Sequence, residues 1–94
     1  MQLAVYILAS QQRGTLYVGV TSDLIQRVWQ HKHDVVEGFS QKFGVHRLVY
    51  FELHATMYDA ISREKQLKAG SRAKKVVLIE AMNLSWGDLY LGLL

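Results

Sequence analysis

The stretch Ala4–His31, AVYILASQQRGTLYVGVTSDLIQRVWQH, decides how this chain folds. Leu3, Val5 and Ile7 alternate with Ala4, Tyr6 and Leu8, the period-2 pattern of a strand with one strongly apolar face. Ser10-Gln11-Gln12-Arg13-Gly14 is polar and ends in glycine, so the chain turns there. Leu16, Val18 and Val20 then alternate with Thr15, Tyr17 and Gly19 to give a second strand. Pairing Ala9 with Gly14 across the turn sets Tyr6 directly opposite Tyr17, with both rings on the face away from the Leu/Val/Ile row. A slip of one residue would expose that row. Thr21-Ser22-Asp23 supplies N-cap candidates, and Leu24, Ile25, Val28 and Trp29 recur at helical spacing. Arg27 and His31 sit one turn apart on the shoulder of that stripe, at the edge of the core. Packing alone does not ask for this set of polar groups.

Outward from this stretch, the first helix is expected to end between Asp34 and Gly38, with Gly38 and Gly44 bracketing a short irregular segment. His46 to Leu53 alternates as a third strand, with Val49, Phe51 and Leu53 on one face and Leu48 and Tyr50 on the other. Thr56-Met57-Tyr58-Asp59 has capping spacing for a helix whose buried stripe is Met57, Ala60, Ile61 and Leu67. Glu64 falls near the middle of that stripe, where an unpaired carboxylate is costly. It therefore needs Lys68, Arg27 or a metal ion as partner. Gly70 closes this helix and Ser71 caps the next, which runs to about Met82. The aromatics of Ser85-Trp86-Gly87-Asp88-Leu89-Tyr90 are placed to seal the core. These elements make an α/β (α+β) unit, a three-stranded, mostly antiparallel sheet flanked by helices, and residues 1–94 read as a single domain.

Composition narrows the classes. Half of the 94 residues are hydrophobic, enough for a compact core at this length. Cysteine is absent, which removes disulfides, thiolate zinc sites and a cysteine nucleophile together. His31, His33, His46 and His54 match no four-ligand zinc spacing. No apolar run approaches the roughly 20 residues that span a bilayer, and no secretory signal opens the chain, so a cytoplasmic location without membrane is expected. The net charge is +3, but its distribution matters more. Between Ala60 and Ile79, Arg63, Lys65, Lys68, Arg72, Lys74 and Lys75 face one acid, Glu64, so six cations less one acid leave a local +5. Such a run suits a polyanion.

Ala4-Val5-Tyr6 and, ten residues on, Tyr17-Val18-Gly19 resemble the paired motif of the GIY-YIG nuclease superfamily. The first element departs by Ala4 and Val5 and the second by Val18, while both tyrosines and the glycine are kept. The likeness extends through Arg27, His31 and Glu64 in the same order and so covers nearly the whole chain. Together with the run Arg63-Glu64-Lys65-Gln66-Leu67-Lys68, it is most similar to small single-domain bacterial members, which are related to the nuclease domain of the excision-repair endonuclease.

The resemblance implies phosphodiester hydrolysis with one divalent ion, Mg2+ or Mn2+, held by Glu64. By the same likeness Tyr17 accepts a proton from the attacking water, Tyr6 shares or orients that proton, and Arg27 braces the phosphoryl charge. His31 serves as relay or phosphate donor, and Asn83 stands where some relatives carry a site asparagine. Gly19 suits a place where backbone passes close to substrate or helix. Val20 replaces a lysine common in the excision-repair relatives, so one phosphate contact is either missing or supplied from elsewhere. Lys65, Lys68, Arg72, Lys74 and Lys75 are the expected nucleic-acid contacts, DNA before RNA, made to backbone rather than bases. The rival readings are a nucleic-acid-binding module without turnover, and an adaptor or homodimer using Trp86, Tyr90 and Leu91 to Leu94.

Overall fold

The computed structural model describes residues 2–35 and 38–94. Three strands, β1 (Leu3–Ala9), β2 (Leu16–Thr21) and β3 (Arg47–His54), form one sheet in the order β2-β1-β3. Both neighbours pair with β1 antiparallel. Four helices follow the chain as α1 (Leu24–Lys32), α2 (Phe39–Phe43), α3 (Met57–Ala69) and α4 (Arg72–Met82), and a 3-10 turn at Tyr90–Leu93 closes it. The expected α+β architecture is therefore present.

β1 is central because it carries no charge and has apolar or aromatic side chains on both faces. Ala4 to Ala9 are all buried, as in a strand covered on both sides. Val5, Ile7 and Ala9 pack with Ala60, Leu67, Ile79 and Trp86, so α3 and α4 cover one face. Ala4, Tyr6 and Leu8 pack with Leu24, Val28 and Leu48, so α1 covers the other, joined by Leu89, Tyr90 and Leu93.

The hairpin register differs from the expected one by two residues. Tyr6 pairs with Gly19, and Tyr17 pairs with Leu8. The cause is the turn: Ser10 N–H donates to the Thr15 carbonyl at 3.0 Å, which sets Ala9 against Leu16. An even shift leaves every side chain on its face, so Tyr6 and Tyr17 still share one.

The third strand departs further. Ile7 pairs with Tyr50 but Leu8 pairs with Leu48, so Val49 is an extra residue in β3. This bulge breaks the simple alternation. Val49 and Tyr50 both join the α3/α4 side, whereas Leu48 and Phe51 join the α1 side. Val49, Phe51 and Leu53, expected on one face, are therefore divided, and Leu53 is exposed.

α1 stops at Lys32, earlier than expected. The Trp29 carbonyl accepts from both the His33 N–H and its ring Nδ1, and Asp34 takes a left-handed φ of 53° that no helix continues. Val36 and Glu37, within the expected range for the helix end, lie outside the described residues. Gly38 and Gly44 do bracket a short segment, with φ of 109° and 63°, but the segment is helical. On α3, Ala60 and Leu67 are buried while Met57 and Ile61 are over a third exposed. Glu64 lies on the buried Ala60/Leu67 line, as expected.

Candidate active site

Asp23 caps α1, its carboxylate accepting from the Gln26 N–H at 3.1 Å. The buried face of the helix that follows is Leu24, Val28 and His31, with Arg27 beside it at the i, i+3, i+4, i+7 spacing. Ile25 and Trp29, assigned to the core by hydrophobicity, are 41% and 44% exposed, and Trp29 stacks on His33 instead. Arg27 and His31 thus stand on the sheet-facing side of α1, turned further in than a shoulder position.

There they meet the tyrosines. The Tyr6 hydroxyl lies 3.0 Å from His31 Nε2. Ring centroids of Tyr17 and His31 are 5.3 Å apart, and those of Tyr6 and Tyr17 are 6.4 Å apart, so the three rings form a triangle. The Tyr6 ring lies across Gly19, where any Cβ would overlap it. That is the close approach requiring glycine here, with Tyr6 as the group that comes near. The Arg27 guanidinium pulls the Tyr6 phenol down, and the charge of Glu64 is also felt there. Glu64 comes from α3, its Oε2 3.3 Å from Lys68 Nζ and its side chain only 15% exposed.

The proton inventory follows from burial. Burial, and after it the neighbouring Tyr17, pushes the Tyr6 phenol well above its usual 10, against the pull of Arg27. Burial likewise lowers His31 from its ordinary 6.5 to about 4, with the charges of Arg27 and His46 adding to the effect. At neutral pH, then, His31 is uncharged and Tyr6 keeps its proton. Tyr6, still protonated, then donates its hydrogen bond to the neutral His31 Nε2.

A family model described as the GIY-YIG catalytic domain matches residues 2–76. The chain belongs to the GIY-YIG family. A UPF0213 protein of Pediococcus pentosaceus is 32% identical over 75 residues, spanning 80% of this chain and 79% of its own. One of Clostridium perfringens is 32% identical over 80 residues, 85% of either chain. The solution NMR structure of a UPF0213 protein from Bacillus halodurans superimposes with a TM-score of 0.55 at 29% identity, covering 88% of this chain and 87% of that one. The GIY-YIG family generally comprises nucleases, and these relatives are small bacterial proteins of about this length. In this GIY-YIG domain the first motif element occupies the middle of β1 and the second the middle of β2.

The remaining site candidates scatter. Asn83 is drawn away from the ring cluster: its amide Nδ2 donates to the Val49 and Gly87 carbonyls and its Oδ1 accepts from the Gly87 N–H. It ends α4 and pins the following turn. Val20 is partly buried against the α3/α4 side. Arg72 donates to the carbonyls of Arg13 and Gly14 at 2.7 and 2.8 Å, and Lys75 to that of Gly70 at 2.8 Å. Lys65 and Lys74 are exposed. Trp86, one of the proposed partner-binding aromatics, is fully buried with its indole N–H on Glu80. No helix of the described residues is long and apolar enough to cross a membrane.

One cluster escaped the sequence. Arg63 holds both oxygens of Glu52 at 3.0 Å, with the Tyr50 hydroxyl and His54 Nε2 on the same carboxylate. Burial opposes charge on Glu52, but the hydrogen bonds from Arg63, Tyr50 and His54 outweigh it and keep the carboxyl below its usual range. Tyr50 is pushed up to about 12, by burial first and then by Glu52. The signal was the polar run Tyr50, Glu52, His54 at strand spacing, opposite the one arginine of α3.

Proposed function

We propose that this chain is a divalent-metal-dependent nuclease that hydrolyses phosphodiester bonds in DNA, acting in the cytoplasm on branched, nicked or damaged substrates during repair or processing. The observation that carries the reading is the meeting of the Tyr6, Tyr17 and His31 rings from three elements, with the charges of Arg27 and Glu64 felt at Tyr6.

Each residue has a role that its environment supports. Tyr17 is half-buried and reachable from outside, whereas Tyr6 is 1% exposed, so Tyr17 is the group that, as its phenolate, would take the proton from the attacking water and become the neutral phenol. Tyr6, held protonated, passes orientation between Arg27 and His31. Arg27, with its planar fork of N–H donors, braces the charge that gathers on the phosphoryl oxygens. His31, neutral at physiological pH, accepts from Tyr6 and fixes that ring over Gly19.

The donor set suits one kind of metal only. Among the described residues no group of three His, Cys, Asp or Glu forms a closed cage. A single, mostly buried carboxylate fits a hard ion such as Mg2+ or Mn2+, which keeps most of its waters and shares a substrate phosphate. Glu64 would hold it, and when bound it supplies Lewis-acid polarisation of the phosphate. Lys68 neutralises the carboxylate otherwise.

The test is incubation of pure protein with branched and linear DNA plus Mg2+ or Mn2+. Glu64→Gln and Tyr17→Phe are each expected to lower cleavage by about a hundredfold or more, a magnitude typical of lost acid–base or electrostatic groups. Cleavage unchanged in both variants would assign it to a contaminant. A mobility shift with steep salt dependence and no products would instead favour the binding-module reading.

A further inference from the structure

Two shallow clefts lie end to end along the outer edge of β2. One, of about 340 Å³, is lined by Leu16, Tyr17, Val18, Lys68 and Lys75. The other, of about 350 Å³, is lined by Thr15, Leu16, Val18, Arg72 and Lys75. They share Leu16, Val18 and Lys75, so they form one groove between the edge strand and the adjoining parts of α3 and α4. No acid lines either part.

Lys75 and Arg72 in this groove differ from the cations that pair with acids, as Lys68 does with Glu64. Arg13 is paired with Glu80, Lys32 with Asp88 and Arg63 with Glu52. Lys75 and Arg72 are instead fixed by the carbonyls of Gly70, Arg13 and Gly14, neutral oxygens that position the cationic heads without cancelling their charge. Arg72 and Lys75 are thus pre-positioned with their positive charge intact, and Lys68 stands beside them paired with Glu64. At one end lies Tyr17, which belongs to the ring cluster, and Lys68, which reaches the Glu64 carboxylate. The groove therefore shares Tyr17 with the proposed reaction site.

We infer that this groove is the track of the strand being cut, and that the preferred substrate is a single nucleic-acid strand, such as a flap, a loop or a splayed end, rather than a duplex. The inference rests on the nuclease reading above. Clefts of this size accept a group of small-ligand dimensions, which matches one sugar–phosphate backbone and not the body of a double helix. Lys68, Lys75 and Arg72 take the phosphates leading away from Tyr17, and apolar Leu16 and Val18 form the floor. The groove also supplies the cation that Val20 does not. Lys65 and Lys74 line neither cleft and contribute only a diffuse field.

The experiment is fluorescence anisotropy of a labelled oligothymidylate strand with the full chain in EDTA, where nothing is cut, titrated with salt. The Lys68→Ala/Lys75→Ala pair should weaken binding about tenfold or more and flatten the log–log salt slope by about 1.4, the value for two single-strand phosphate contacts. Because the Lys75 change also removes a helix cap, Thr15→Glu provides a second variant that keeps every cap and places a negative charge in the groove. It should weaken binding severalfold with the melting temperature unchanged. The Lys65→Ala/Lys74→Ala pair should lose under about threefold, as for a diffuse contribution outside the track.

Equal losses from both lysine pairs would overturn the track, as would binding of the matching duplex as tightly as the strand. Sedimentation as a dimer that the strand does not dissociate would give the edge to a second copy, and the track would fall. Glu64-dependent cleavage that Thr15→Glu and the Lys68/Lys75 pair leave untouched would also remove the track while sparing the nuclease reading. Groove-dependent strand binding with no cleavage under any metal would do the reverse.

Discussion

Gly19 and Tyr6 form one unit. The glycine has no unusual backbone angle to explain it, and its requirement comes from the Tyr6 ring lying where a Cβ would stand. Gly19→Ala therefore forces the ring off His31, with an expected cost of about 1–3 kcal/mol, typical of overpacking, and a loss of activity exceeding the loss of folded protein. Thermal melts paired with cleavage rates check it, and a melt like that of the wild type would contradict the contact. His31 carries a second expectation. Its folded value near 4 lies below its ordinary 6.5, so the unfolded chain binds the extra proton first. Stability is then full above 6.5, falls as pH drops toward 4, and levels off below that. Over that window the slope should approach about 1.4 kcal/mol per pH unit, and the total loss should be on the order of 3 kcal/mol. His31→Gln, which can still accept from Tyr6, should flatten this part of a urea-denaturation series against pH. A slope identical in both proteins would show that His31 is not the group titrating.

At the scale of elements, α1 matters most. Its inward face, about two turns long, combines packing by Leu24 and Val28 with chemistry by Arg27 and His31. A hydrophobic-stripe reading of α1 picks Ile25 and Trp29 because they are apolar, whereas the face is defined by Leu24, Val28 and a histidine. Polar site residues take up core positions, so hydrophobicity alone rotates the inferred face toward solvent. α3 shares the error in part, since Met57 and Ile61 are over a third exposed, but Glu64, between Ala60 and Leu67, is conspicuous as an acid in an apolar line. Asp23 sets where α1 begins, and Asp23→Ala should cost about 1 kcal/mol through the lost cap. Because the same turn leads to Arg27, cleavage should fall more than the melt alone accounts for. Asp23→Asn, which caps equally well, should restore both.

The whole molecule is tied across its layers at sites remote from the reaction. Arg63 and Glu52 brace α3 to the outer strand β3, and Arg72 and the Arg13–Glu80 pair clamp α4 to the hairpin turn. Arg63→Met leaves Glu52 partly buried with fewer donors, and a cost of about 1.5–3 kcal/mol is expected for a charge-assisted set. At about 4–8 °C per kcal/mol for a domain of this size, calorimetry should record a clear drop in melting temperature. Per folded molecule, cleavage should remain near wild type, since none of these groups touches the ring cluster. A loss of activity at full stability would instead place Glu52 and Arg63 in the nuclease machinery.

The amino-acid sequence by itself determined the three strands, the three long helices with their caps, and the order Tyr6, Tyr17, Arg27, His31, Glu64 on them. Those follow from local periodicity and capping chemistry, which operate within a few residues. The shared face of the tyrosines was also legible, because a register error of two residues preserves it. Only the tertiary structure decided the bulge at Val49, the inward turn of Arg27 and His31, the burial of Trp86 and the bracing of Glu52 by Arg63. It alone brought Lys68, Lys75 and Arg72 alongside β2, far from it in sequence. Each of these depends on what packs across the sheet, and no window along the chain contains both partners.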